Sequence, residues 1–214
     1  STNEYEANFS TDDISEGEYT VEVSGVEGFD DIKASQYIPA PVNILEGTYQ
    51  EDGTIESDYG YAYTVDEATV KFKDPDDQEN YYLIKLFAVT EDEFGFVYQN
   101  ELYTSSLDPF AETSFYYRGI LLRDNSFNGE EYNLSIGFDN FFGYSTPNEN
   151  VTRYFIAELS NVTRDYYLFT KSLAAQKNAI DNPFAEPVIV HNNIENGIGI
   201  FSAKNSTRFR IDFE

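Results

Sequence analysis

The sequence predicts an all-β protein, an antiparallel β-sandwich or partly closed barrel with one α-helix packed on it over about residues 161–179. Three observations carry this. Apolar and polar residues alternate with period two in short segments along most of the chain, the pattern of strands with one face buried. Aromatics make up 17% of the residues, from 18 Tyr and 18 Phe with no Trp, and such side chains suit a pleated sheet better than a helix. One segment alone has a helical period. A single helix among many antiparallel strands belongs on the outside of a sheet.

The elements follow in chain order. Tyr19, Val21 and Val23 alternate with polar residues over 18–24, the period of a half-buried strand. Residues 25–31 supply turn chemistry, and 32–38 resume an extended run. Pro39-Ala40-Pro41 then stops any ladder, because proline has no amide hydrogen to donate, and a boundary is placed there, dividing 1–41 from 42–214. Val70 and Phe72 alternate within 68–73, an acidic turn covers 74–79, and 80–90 reads as a long strand. That strand is apolar on both faces except at Lys85, so it belongs in the middle of the fold, covered on two sides. Residues 94–98 return as a hairpin. Further strands are expected at 115–122, 132–139 and 152–159, with Leu134, Ile136 and Phe138 pointing one way after an Asn128-Gly129 turn. A last strand at 207–213 turns Phe209, Ile211 and Phe213 inward.

The helical segment is 160–179, where Val162, Tyr166, Phe169 and Leu173 fall at i, i+4, i+7 and i+11. Ser160 or Asn161 can cap its start, and Asn182-Pro183 lies just past its end.

Composition excludes several functions. Lys and Arg number 13 against 39 Asp and Glu, a formal net charge of -26. So acidic a surface repels phosphate backbones and anionic lipid, leaving nucleic acid and direct membrane adsorption without support. It is compatible with simple solubility, with Ca²⁺, or with a basic partner. With no cysteine, thiol nucleophiles, Cys-ligated zinc and disulfides are excluded. No run of 18 apolar residues spans a bilayer as a helix. The chain has no starting Met or signal peptide and is expected to begin after a processing site.

Catalytic chemistry finds little footing. His191 is the only imidazole, it ends a strand expected at 187–191, and no Gly-x-Ser-x-Gly elbow accompanies it. No phosphate-binding or dinucleotide loop appears. The reading is a non-enzyme with no catalytic residues and no bound cofactor. The one metal candidate is the acidic turn Asp74, Asp76, Asp77 and Glu79, whose oxygens suit Ca²⁺ but lack the spacing of an EF-hand loop, so a solvated turn is favoured. Asn-x-Ser/Thr sequons start at Asn8, Asn133, Asn150, Asn161 and Asn205. The pairs Tyr81-Tyr82, Tyr116-Tyr117 and Tyr166-Tyr167 would each place one ring on either face of a strand. The inward ring is core, and the outward one could meet a sugar or a protein surface.

The densest motif is "NPFAEPVIVHNNIENGIGIF" at 182–201. Asn182-Pro183 ends the helix and Phe184 is free to enter the core. Pro187 starts a strand to His191, residues 192–197 turn it with Asn and Gly able to take positive φ, and Ile198 to Phe201 return with Gly199 at a bulge. On physical grounds it is a structural corner, marked by Pro183, Phe184, Glu186, Pro187, Asn193, Glu195, Asn196, Gly197, Gly199 and Phe201.

That stretch resembles the C-terminal signature of a Bacteroidota outer-membrane lipoprotein family, catalogued as domain of unknown function 4249. Four further motifs agree in order: "YTVEVSGVEGFDDIKASQYIPAPVNI", "VKFKDPDDQENYYLIKL", "RDNSFNGEEYNLSI" and "VTRDYYLFTKSLAAQ". The resemblance implies that 1–41 is the C-terminal remnant of an immunoglobulin-like β domain and that a lipid-modified cysteine, absent from this sequence, anchors the protein upstream. It implies a cell-surface lipoprotein of the outer membrane that accompanies a SusC-like TonB-dependent β-barrel transporter or other outer-membrane subunits, with no catalytic residues to transfer. The alternative is a free-standing module for a glycan, a peptide or Ca²⁺.

Overall fold

The structure is a computed structural model that describes residues 14–25, 28, 30–56, 62–76, 78–114, 116–139, 151–180 and 186–213. Among these residues the strands are β1 (Gly17–Val23), β2 (Ile32–Ile38), β3 (Ile44–Glu56), β4 (Ala62–Lys73), β5 (Tyr81–Asp92), β6 (Val97–Glu101), β7 (Thr104–Ser105), β8 (Glu112–Ser114), β9 (Tyr117–Arg123), β10 (Glu131–Phe138), β11 (Val151–Val162) and β12 (Lys204–Ile211), with the helix α1 (Arg164–Ile180) between the last two. The expected antiparallel sandwich with one helix is what forms. One layer has the order β3-β4-β10-β7, and the other β12-β11-β5-β9-β8, with β6 also on β5. The described strands do not close into a barrel.

The core lies between these layers. Phe72 and Val70 of β4 and Leu134, Ile136 and Phe138 of β10 face Tyr82, Ile84 and Leu86 of β5 and Phe155, Ala157 and Leu159 of β11. β5 is central, as its two apolar faces predict: it pairs β11 along its whole length on one side, and β9 and β6 in succession on the other. Its second face carries Tyr81 and Leu83, which with Leu121, Val162 and Tyr167 of α1 form a smaller cluster under the helix.

The helix differs from its sequence reading at its start and in its stripe. It begins at Arg164 because β11 runs on to Val162, pairing with Tyr81 of β5 and Lys204 of β12. The cap is Thr163, whose Oγ1 accepts the Tyr166 amide at 3.3 Å. The helix seats itself through Tyr167 and Ala174, its buried residues, while Tyr166, Phe169 and Leu173 are half covered. The inward face therefore lies one residue on from the expected stripe, whose first member, Val162, belongs to β11.

β1 and β2 form their own two-stranded sheet. The alternation over 18–24 predicts a half-buried strand, yet Val21 and Val23 are 38% and 37% exposed. A two-stranded ribbon has no second layer to cover both faces. The linker behind it is fixed by side chains: Asn205 Nδ2 donates to Pro39 O at 3.2 Å, Asn161 Nδ2 to Ala40 O at 3.1 Å, and Thr207 Oγ1 to Val42 O at 2.6 Å. Pro39, which has no amide hydrogen to donate, thus offers its carbonyl to β12, and the carbonyls of Ala40 and Val42 accept from β11 and β12 beside it.

Candidate functional site

The motif 186–203 contains no strand apart from one bridge of Glu195 to Lys33, which corrects the two strands expected there. Asparagine side chains take the place of a ladder. Asn193 Nδ2 donates to Phe201 O at 2.7 Å while its Oδ1 accepts the Phe201 amide at 2.9 Å, and Asn192 Oδ1 accepts the Gly199 amide at 2.7 Å. Asn196, within the turn expected to hold positive φ, has φ of 56°, whereas Gly197 does not take one; Gly199, expected at a bulge, has φ of 146°. Gly197 has no room for a Cβ, which would meet Ile194 Cγ2 at 2.7 Å. Glu186 and Pro187 are exposed, Glu195 holds β2 through its backbone, and Pro183 and Phe184 lie outside the described residues. Ile189 and Ile198, apolar by type, are 90% and 100% exposed, so the segment does not bury the faces its alternation suggests.

The corner closes on Asp165, in the first turn of α1. Gln36 Nε2 of β2 donates to Asp165 Oδ2, Asn193 Nδ2 donates to the same oxygen at 3.0 Å, and His191 Nε2 lies 2.6 Å from Oδ1. One carboxylate therefore joins the N-terminal hairpin, the helix and the motif loop. Ser172 completes the surroundings, but its Oγ accepts the His191 backbone amide at 2.9 Å and donates to the carbonyls of α1, so serine, imidazole and aspartate are not aligned for proton relay. His191 is a strut.

Burial pushes the Asp165 carboxyl up, but donation from His191, Asn193 and Gln36 outweighs it and holds the group below the usual carboxylate range. A depressed folded-state pKa contributes stability that is fully present above the unfolded value and is lost as pH falls through the folded one. Asp165→Asn is therefore expected to cost about 1–2 kcal/mol at neutral pH, and denaturant melts of variant and wild type should converge in acid. A difference that stays constant down to the lowest pH would remove this ionised hub from the account.

The acidic turn is divided among structural tasks. Asp74, 1% exposed, accepts the Tyr82 hydroxyl and, at 2.9 Å, the Gly129 amide. Glu79 accepts the Tyr81 hydroxyl at 2.7 Å and pairs with Arg123. Asp76 packs beneath Gly129, and Asp77 lies outside the described residues. Among the described residues no three carboxylate or imidazole groups converge as a metal cage. The neighbouring Asn80 donates its amide to Asp124 Oδ2 at 2.6 Å, and burial raises the Asp124 carboxyl. Two of the sequons are structural as well. Asn161 is 2% exposed and Asn205 half buried, both holding the linker, whereas Asn133 is exposed and Asn8 and Asn150 lie outside the described residues.

Surface aromatics sit elsewhere than the tyrosine pairs suggest. Tyr81 is buried against Tyr167 with ring centroids 4.9 Å apart, because the helix covers the face that Tyr81 presents. The exposed rings cluster along the β5–β6 hairpin and just after it: Phe94, Phe96, Tyr98, Tyr103 and Phe110 are 49–77% exposed, with Val97 and Leu107 among them. Sequence reading finds the hairpin but not its exposure, which depends on β6 having only β5 as a partner among the described strands. Two recesses adjoin the N-terminal hairpin. An apolar cleft of about 350 Å³ lies between β1–β2 and Phe201–Ala203, and a polar pocket of about 220 Å³ lies between β2, the turn before β5 and the start of α1.

Comparison with known proteins gives one match: the model of a family described as Domain of unknown function (DUF4249) aligns with residues 4–210. No curated protein and no solved structure matches the chain.

Proposed function

The chain belongs to the DUF4249 family, and from that premise we propose that it is a non-catalytic accessory lipoprotein at the cell surface of a Bacteroidota outer membrane, associated with a TonB-dependent β-barrel transporter. The observation that carries the proposal is the aromatic strip from Phe94 to Phe110 along and around β6, a strand that has only β5 as a partner among the described strands. An exposed edge strand bordered by large apolar side chains is a liability in a lone soluble domain, and natural sheets blunt such edges with lysine or proline. The β6 segment, Val97-Tyr-Gln-Asn-Glu101, has neither. Covering that edge is what a partner subunit does. The net charge of -26 favours a partner presenting basic residues around an apolar centre.

The test is recovery of the native protein from its own outer membrane in mild detergent, followed by mass spectrometry. A stoichiometric β-barrel is expected with the wild type. Phe94→Ser combined with Phe96→Ser and Tyr98→Ser is expected to reduce that recovery by about a hundredfold, since losing central aromatic anchors costs ~2–4 kcal/mol or more, while leaving the melting temperature unchanged. Recovery of the wild type alone would instead favour a free-standing binding module.

A further inference from the structure

We propose that β6 is a strand-addition site, whose side away from β5 takes an extended, basic segment of the partner protein as one more strand. The inference rests on the reading of this surface as the contact face, and it states how the partner holds that face.

The ladder fixes which main-chain groups are on offer. The Leu102 amide donates to Leu86 O at 2.9 Å, and the Asp92 amide to Phe96 O at 3.1 Å. Between these bonds Phe87 lies opposite Glu101 and Glu91 opposite Val97. The alternation of an antiparallel pair therefore turns the amides and carbonyls of Tyr98 and Asn100 toward β5, and those of Val97, Gln99 and Glu101 away from it. Of the groups turned away, only the Glu101 carbonyl is matched among the described residues, accepting Arg118 Nη1 at 3.3 Å. The Arg118 guanidinium also lies 4.3 Å over the Tyr103 ring and closes the edge at that end. Val97 and Gln99 remain, on a strand whose first four residues are all exposed. Such a row of amides and carbonyls is a template for an extended peptide.

The flanking charges say which peptide fits. Between Lys85 and Arg118 the chain carries Glu91, Asp92, Glu93, Glu101, Asp108 and Glu112 and no Lys, Arg or His. Glu101 pairs with Lys85 and Glu112 with Lys171, each at 2.7 Å, whereas Glu91, Asp92 and Glu93 make no ion pair among the described residues. Those three acids stand at the β5–β6 turn, beside Phe94 and Phe96, which are 77% and 63% exposed. A strand with cationic and apolar residues in alternation answers both features, because its successive side chains face opposite sides of the sheet. A second copy of this chain would bring its own acidic turn to the edge, and anionic lipid would meet the same repulsion.

The test titrates the full chain into a fluorescent, acetylated and amidated nonapeptide that alternates lysine with valine. Saturable binding is expected, weakened at least about tenfold when the peptide's backbone nitrogens are methylated, which keeps its side chains and charge. Gln99→Pro deletes an outward amide hydrogen on an edge strand, where proline is tolerated. It is expected to weaken binding about tenfold, while Gln99→Ala keeps the main chain and binds as wild type does. The proposal is overturned if the peptide does not bind saturably, if the methylated peptide binds equally well, or if Gln99→Pro has the wild-type affinity. The methylated peptide decides the matter even where Gln99→Pro does not fold. Sedimentation with phosphatidylcholine vesicles in place of peptide binding would assign the rings to lipid and overturn it too. In the outer-membrane recovery, a barrel retained by Gln99→Pro but lost by the triple serine variant would sink strand addition and leave the accessory reading standing. Peptide binding that Gln99→Pro weakens, with no barrel recovered by the wild type, would do the reverse.

Discussion

Gly119→Ala is expected to destabilise the protein by at least about 3 kcal/mol, a loss that belongs to backbone strain and overpacking together. Gly119 sits in β9 with φ of +113°, a conformation that side-chain-bearing residues rarely adopt. A Cβ at this position would lie 2.5 Å from the Ile84 carbonyl oxygen, 3.1 Å from Lys85 Cγ and 3.2 Å from Leu83 Cδ1. The lysine could swing away. The Ile84 carbonyl could not, because it belongs to β5, which is held by β11 on one side and β9 on the other. Gly95 provides the control: its φ is +82°, it lies at the β5–β6 turn, and an added Cβ meets nothing within 4 Å. Gly95→Ala should carry only the local cost of a positive φ, about 1–2 kcal/mol. Denaturant unfolding of the two variants separates the contributions, and equal losses would mean that the close approach to β5 has no energetic consequence.

The contrast between these glycines shows where sequence reading stops. Both occur beside apolar strands, and nothing local distinguishes a glycine that a neighbouring strand requires from one that only turns the chain. What was legible is what local pattern determines. The burial of β5 on both faces follows from its apolar run, interrupted only at Lys85 between Tyr81 and Val89, β2 ends where Pro39 begins, and Leu134, Ile136 and Phe138 share a face because their spacing is two. The start of α1 was not legible, because Ser160, Asn161 and Thr163 are all competent caps. Pairing of β11 with two neighbours through Val162 decides among them, and that is a tertiary fact.

The candidate site divides in the same way. Asn196 was readable as a positive-φ residue, and the stretch as a corner. Its valines and isoleucines were misleading, since their alternation imitates strands that its asparagine hydrogen bonds replace. The Asp165 hub joins Gln36, 129 positions away, to His191, 26 positions away, and no spacing rule reaches across those distances. Only the presence of a single histidine hinted at it. Likewise the acidic turn reads as a solvated cluster or a cation site by composition, whereas its first carboxylate is almost fully buried.

That carboxylate supports the second large effect. Asp74→Ala is expected to cost about 3–5 kcal/mol, because two donors lose one acceptor in the interior. Tyr82 has no exposed surface, and its hydroxyl donates to Asp74 Oδ1; the Gly129 amide donates to Oδ2 at 2.9 Å. Asp74 therefore ties the turn before β5 to the turn before β10, and Tyr82 sits between them with its ring 5.0 Å from that of Phe72. Asp74→Asn keeps an acceptor for Gly129 and can reverse the bond to Tyr82, so it should cost about 1 kcal/mol, near the net worth of a single hydrogen bond. Tyr82→Phe removes the donor instead of the acceptor. In the double variant Asp74→Ala with Tyr82→Phe the loss should be smaller than the sum of the two single losses by at least about 1 kcal/mol, since the alanine no longer strands a hydroxyl. Strict additivity in that cycle would dissolve the clamp, and the conjunction of Asp74, Tyr82 and Gly129 would then be packing without coupling.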